Sequence, residues 1–430
     1  MPMLLVAKGN HQFKPKQAGA MAALSSILHV LAIYTLFRQL SCSYAFCPAP
    51  AARPPPALII SKVGPSDVRN ASASLHGNIR HSRTRVAALS IGAEGDEGVP
   101  INNDEVEKKP SRPPFPLVLW RFTRPHTIIG SAIAIPSIFL LAAPTYQSFF
   151  TLRSFSSLIY AAVPSLFMNL YITGLNQITD VEIDKINKPE LPIAKGDLSY
   201  STACIVVLVA LVISLAMSVV HPIFSSSGLQ LALWGSCLLG TLYSLPPFRM
   251  KKHPLLAAFC IVAVRGTIIN AGFYSHAVAT AFDSVPQITG VLGCLLHDWK
   301  CAFSSIFFAI FGIVIALMKD VPDIHGDRTF NIRSFTVRLG QKRVFVTAKN
   351  LLALLFGIVG GALMKWTTMA PDLSVTVRRG LVGLCCWVAG WWVNKAAVAV
   401  DAEDSEGVYN YYMKLWNLFY LSYLALPFVS

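Results

Sequence analysis

From residue 127 to the C-terminus the chain alternates long apolar runs with short polar breaks. The runs cover 127–144, 155–175, 201–220, 227–244, 255–274, 302–318, 347–364, 379–398 and 412–429. Each is close to the ~20 residues that an α-helix needs to cross a bilayer. The pattern predicts an all-α, polytopic membrane bundle of about nine transmembrane helices, forming one domain over 111–430.

Composition supports lipid as the solvent: 54% of the 430 residues are hydrophobic and 13% are charged, against roughly 25% charged in soluble proteins. The formal net charge of +14 could in principle serve nucleic acid, but it is dispersed between apolar blocks instead of gathered on one soluble face, which argues against that partner. With nine helices, every second loop faces one compartment, and those loops carry the bases. Lys185, Lys188 and Lys195 follow the second run, and Arg249, Lys251 and Lys252 follow the fourth. Lys319, Arg328, Arg333, Arg338, Lys342 and Arg343 follow the sixth. The opposite loops offer Arg153, Lys300, Lys365, Arg378 and Arg379. This asymmetry fits the positive-inside rule; the acidic stretch Asp401–Glu406 departs from it, but acids weigh little there. The nine cysteines contain no CxxC pair and read as small hydrophobes instead of metal ligands.

The first 110 residues have a different character. Lys8, Lys14 and Lys16 precede an apolar run from Met21 to Phe37, and small residues follow at 41–45, the layout of a signal peptide over 1–46. Residues 47–110 read as a transit peptide or disordered linker, because Arg53, Lys62, Arg69, Arg80, Arg83 and Arg85 face the single acid Asp67 between Cys47 and Ile91. The junction Tyr44-Ala45-Phe46-Cys47-Pro48 resembles the cleavage motif of two-part leaders that direct proteins into plastids of secondary endosymbiotic algae. A retained signal anchor is the alternative.

Two acidic motifs lie on the basic side. Asn176, Asp180 and Asp184 recur every four residues, as do Asp323 and Asp327, with Asp320 three residues before them. On a helix such spacing lines one face. Carboxylates so placed are hard oxygen ligands, and Mg2+ characteristically takes one or two of them while keeping waters and phosphate oxygens elsewhere. One acid pair could merely solvate a loop. Two clusters at the same membrane edge, each beside bases, point to function.

The stretch NQITDVEIDKINKPELPIAKGDLS resembles the NQxxDxxxD signature of UbiA-type aromatic prenyltransferases, and KDVPDIHGDRTFNIRSFTVRLGQKRVF resembles their second signature in its plant homogentisate phytyltransferase form. The similarity extends over about 119–430, through RFTRPHTIIGS, YSLPPFRMKKHPLLAAF and LWNLFYLSYLALPF. One departure is His325, where the second signature usually carries Glu. The resemblance implies that Asn176, Asp180 and Asp184 hold one Mg2+ and Asp323 and Asp327, with Asp320, a second, bridged by a prenyl diphosphate. Lys188, Arg249, Lys252 and Lys319 are basic candidates for its remaining oxygens. Tyr243 either orients the diphosphate or packs. Arg265, a charge inside the fifth run, is either functional or a snorkelling, paired structural residue. Arg124 and His126 are either contacts for an acceptor carboxylate or a positive-inside anchor.

The implied reaction is transfer of a prenyl group, phytyl for preference, to homogentisate with decarboxylation, as in tocopherol biosynthesis, within a plastid membrane. Homogentisate solanesyl transfer, another phenolic acceptor and chlorophyll synthesis are the rivals within the family. A cation-coupled transporter is the rival outside it, but its acids would sit mid-membrane instead of at helix ends on one side.

Overall fold

Prolines and short polar side chains punctuate the apolar runs and set where the helices begin. Pro125 and Pro254 open their helices, where a missing N–H costs nothing. Thr151, Ser199, Ser226, Asp372 and Asp404 each accept a backbone N–H of the following first turn, capping donors that hydrocarbon could not satisfy. The computed structural model describes residues 113–282, 290–370 and 372–430. The expected signal peptide over 1–46 and transit segment over 47–110 lie outside those residues.

Among the described residues there are nine long helices and no strand. They are α1 (Pro125–Ala142), α2 (Leu152–Thr179), α3 (Tyr200–Val220), α4 (Ser227–Ser244), α5 (Pro254–Thr280), α6 (Trp299–Lys319), α7 (Gln341–Thr367), α8 (Leu373–Val398) and α9 (Ser405–Ala425). Seven are long and apolar enough to cross a membrane. The other two, α4 and α9, have 18 and 21 residues but are more polar, through Gln230 in α4 and Lys414 and Asn417 in α9.

Several helices differ from the expected boundaries: α8 starts at Leu373 rather than near 379, and α9 spans Ser405–Ala425 rather than 412–429. α7 starts at Gln341 rather than near 347, so Lys342 and Arg343 ride on its first turn, with Val344, Phe345 and Ala348 buried beneath. α5 continues beyond 274 to Thr280 and is interrupted by a π-helical turn at Ala263–Ile268. Within lipid, the backbone carbonyls displaced by such a turn need donors. Asn270 supplies them, its Nδ2 donating to the Arg265 carbonyl at 2.7 Å and the Gly266 carbonyl at 2.8 Å.

α6 buries 61% of its most apolar stretch, whereas α3 and α8 bury 28% of theirs, so α6 is the inner helix of the bundle. Its Phe308 stacks on Tyr423 of α9 with ring centroids 3.6 Å apart, and Phe311 meets Phe356 and Phe419 edge-on. Ile205, Leu208, Leu255, Ile306 and Leu354 point outward, an apolar exterior suited to lipid. At one end of the bundle the segments after α2, α4 and α6 converge, as ion pairs between them show.

Candidate active site

α2 ends at Thr179 and a separate short helix occupies Val181–Asn187. Asn176, Asp180 and Asp184 therefore do not share one unbroken helix, as their spacing predicts. Asp180 leaves helical geometry (φ −119°, ψ 16°), yet the three side chains stay together. Asn176 Nδ2 donates to Asp180 Oδ2 at 3.0 Å, and the Asp184 N–H donates to the Asp180 carbonyl at 2.8 Å. After α6, Asp323 precedes the turn Ile324–Thr329, and the Asp327 N–H donates to its carbonyl at 3.1 Å.

Asn187 ties the two motifs to each other. Its Nδ2 donates to the Asp323 carbonyl at 3.1 Å, and its Oδ1 accepts the Gly326 N–H at 2.9 Å. A Cβ at position 326 would collide with that amide, so the close approach requires glycine.

Arg124, Asn176, Asp180, Asp184, Lys188, Tyr243, Lys319, Asp320, Asp323 and Asp327 line one cleft. Lys188 pairs with Asp323, joining the two acidic walls. Arg124 Nη2 stands 3.9 Å from Asp184 Oδ2. Lys319 donates to the Tyr243 hydroxyl at 2.7 Å and lies 3.4 Å from Asp320 Oδ1. Three nominated residues are placed elsewhere. Arg249 braces Asp180 from behind, Nη2 to Oδ1 at 2.8 Å, without lining the cleft. Lys252 is exposed, and Arg265 lies against the Trp416 ring.

Sequence reasoning missed two polar cleft residues, Asn187 and Lys251, and the apolar lining of Ile183, Ala257 and Ile332. Lys251 is buried and pairs with Asp180. The choice between adjacent lysines is made by Arg249, whose φ of 36° starts the 3-10 turn Met250–Lys252 that turns Lys251 inward. Arg124 is also left-handed, with φ 51°. Such backbone costs on the order of 1–3 kcal/mol per residue and persists where surrounding contacts enforce it, often at functional sites.

Burial sets the electrostatics. It pushes the Asp184 carboxyl up to about 6 against the opposing pull of Arg124 and Lys188. Burial, then Asp320 and Asp323, pushes Asp327 up to about 7. Burial lowers Lys251 to about 8, with Asp180 resisting. Carboxyls in this state gain from any cation that enters.

The donor set fits magnesium in one particular manner. Among the described residues no group of three acidic, histidine or cysteine side chains forms a ready-made metal cage. Asp184, 5% exposed, nevertheless has an Oδ2 with no hydrogen-bond partner. Paired carboxylates with an unsatisfied hard oxygen suit a cation that shares its remaining positions with phosphate oxygens and water.

Residues 118–418, which hold both acidic motifs and the cleft, match the model of the UbiA prenyltransferase family. The chain belongs to that family. Among its UbiA relatives, "Homogentisate phytyltransferase 1, chloroplastic" of Arabidopsis thaliana is 39% identical over 313 residues, covering 72% of this chain and 75% of its own. "Homogentisate geranylgeranyltransferase" of Hordeum vulgare is 35% identical, covering 72% of each chain. "Homogentisate solanesyltransferase, chloroplastic" of Arabidopsis thaliana is 34% identical over 380 residues, covering 85% of this chain and 90% of its own.

Proposed function

We propose that this membrane-embedded UbiA enzyme transfers a prenyl group from a prenyl diphosphate to homogentisate, with phytyl diphosphate as the preferred donor. The observation that carries the reading is the cleft itself. Two acidic walls, Asn176/Asp180/Asp184 and Asp320/Asp323/Asp327, face each other with Lys188, Lys319 and Arg124 between them. Relatives that act on homogentisate supply the acceptor.

The two walls would hold magnesium. When bound, it neutralises the charge that builds on a departing diphosphate. Lys188, Lys319 and Arg124 take the diphosphate oxygens that remain, and the Tyr243 hydroxyl fixes the Lys319 ammonium in place. The apolar chain of the donor stays in lipid while its head enters the cleft. The allylic C–O bond breaks and a bond to the electron-rich ring forms. The ring proton released by substitution balances the proton taken up where the acetate carboxylate leaves as carbon dioxide, giving a methyl-prenyl quinol. Water exclusion protects the allylic cation. Chloroplastic relatives support a plastid membrane as the location, and the two-part leader expected over 1–110 suits an alga with a secondary plastid.

The test is expression from about Pro110 onward in a membrane host. Homogentisate is supplied with phytyl, geranylgeranyl, solanesyl and farnesyl diphosphates in competition, with magnesium or with EDTA. The expected product is a methyl-phytyl quinol that EDTA abolishes. A solanesyl or geranylgeranyl product would reassign the donor; folded protein that makes no quinol from any donor would overturn the reading.

A further inference from the structure

The cleft leaves unexplained a second polar group, set further into the bundle. Arg265 sits in the π-helical turn of α5, and its guanidinium carbon lies 4.7 Å from the centroid of the Trp416 ring and 5.9 Å from that of Phe419. Among the described residues no carboxylate lies within 4 Å of it, and its neighbours are those two rings and the tyrosines Tyr412, Tyr420 and Tyr423. The Trp416 indole is 1% exposed, and its Nε1–H has no hydrogen-bond partner, although the Tyr412 hydroxyl is its neighbour. The His126 ring packs 5.1 Å from Trp416 and 6.5 Å from Tyr412.

Two donors, one of them a full charge, thus share a bundle interior, and among the described residues no carboxylate lies within 4 Å of that charge. That is costly. An unpaired charge inside a membrane bundle and an unsatisfied buried N–H each carry a penalty. The fold nevertheless holds Arg265 firmly, since Asn270 binds its carbonyl and is itself bonded by the Tyr423 hydroxyl. π-helical turns of this kind recur at functional sites.

The surroundings define the ligand. Aromatic walls from Trp416, Tyr412 and His126 suit a ring, and the guanidinium suits a carboxylate. The group adjoins the cleft, because Tyr412 lies within electrostatic reach of Lys319 and Lys188 on one side and of Arg265 on the other. Arg124, the other arginine nearby, faces the acidic wall instead, 3.9 Å from Asp184.

We infer that Arg265, with Trp416, forms the acceptor subsite and binds the carboxylate of an arylacetate beside the diphosphate cleft. This rests on the proposed function and adds to it the residue that selects an acidic acceptor. It also separates the duties of the arginines: Arg124 serves the diphosphate end and Arg265 the acceptor.

The test compares homogentisate with its methyl ester, and uses R265Q and R265K. Wild-type enzyme prefers the acid. R265Q is expected to raise KM for homogentisate by about tenfold or more, the size of a charge-assisted hydrogen bond, to leave KM for the prenyl diphosphate within about twofold, and to lose the preference for acid over ester. R265K, which keeps the charge, restores part of that preference. An unchanged acid-to-ester ratio in R265Q would overturn the inference while leaving prenyl transfer intact. Wild-type protein that prenylates neither compound would overturn the parent reading instead. Should both variants fail to fold, wild-type enzyme still decides: phenylacetate should compete with homogentisate and phenylacetamide should not, and equal competition counts against the subsite.

Discussion

Asp180 is the most heavily engaged side chain of the cleft, bonded by Asn176, Arg249 and Lys251 together. Removing one partner of such a buried group strands the others at a cost of about 3–5 kcal/mol, so substitutions there should keep shape. Asp180→Asn combined with Asp323→Asn is expected to cut prenyl transfer at least about a thousandfold, or ~4 kcal/mol, and to lower the unfolding temperature of the detergent-extracted protein, because Arg249, Lys251 and Lys188 lose their counter-charge. Wild-type rates in that double variant would remove the acidic walls from the mechanism. His325 offers the contrast. It is exposed and does not line the cleft, whereas Asp323 and Asp327 are buried and do. His325→Glu should therefore change the rate by less than about tenfold; complete loss would give the histidine a role of its own.

Proton occupancy adds a test at the same residues. The Asp184 and Asp327 carboxyls, raised by burial to about 6 and about 7, must ionise before they can hold a cation. Protons and magnesium compete, so apparent magnesium affinity should rise as pH climbs from about 5.5 to 7.5, with proton release on binding. Calorimetric titration in buffers of different ionisation enthalpy would measure that release. A flat affinity across this range would place the ion away from these acids.

Between the elements, the interrupted helices matter more than the regular ones. The break at Asp180 allows Val181–Asn187 to swing Asn187 onto the second motif, where it holds the Asp323 carbonyl and the Gly326 N–H. Asn187→Ala should lose both bonds, with a stability loss of about 1–3 kcal/mol and a higher KM for the diphosphate; melting and donor titrations would detect each. An Asn187→Ala enzyme with native KM would reduce the clamp to packing. The four-residue spacing of Asn176, Asp180 and Asp184 was legible in the chain, but the break was not. Nor was the π-helical turn, since Arg265 marks residues 263–268 by its charge but nothing there marks a change of helix type. Both depend on bonds from residues distant in sequence or one turn away, such as Asn270, and hydrophobic pattern contains no term for them.

At the scale of the whole molecule, the basic loops after α2, α4 and α6 share one end with the cleft, while Arg153, Lys300 and Arg378 lie near the starts of α2, α6 and α8, at the opposite helix ends. A single cysteine at Lys252, which is exposed and outside the cleft, should react with a membrane-impermeant maleimide from the face opposite to one at Arg378 when the endogenous cysteines are replaced. Labelling from the same face would overturn the topology.

The sequence by itself determined the class of the molecule, the number of long helices, the basic side and the two acidic motifs, because solvent preference and charge are summed over many residues and survive local irregularity. Tertiary structure alone decided that Lys251 instead of Lys252 enters the cleft, that Asn187 couples the motifs, and that Arg265 meets the Trp416 ring. Those outcomes turn on single backbone angles, such as φ 36° at Arg249, and on contacts between helices more than a hundred residues apart. A linear pattern averages over such details; only packing can select among them.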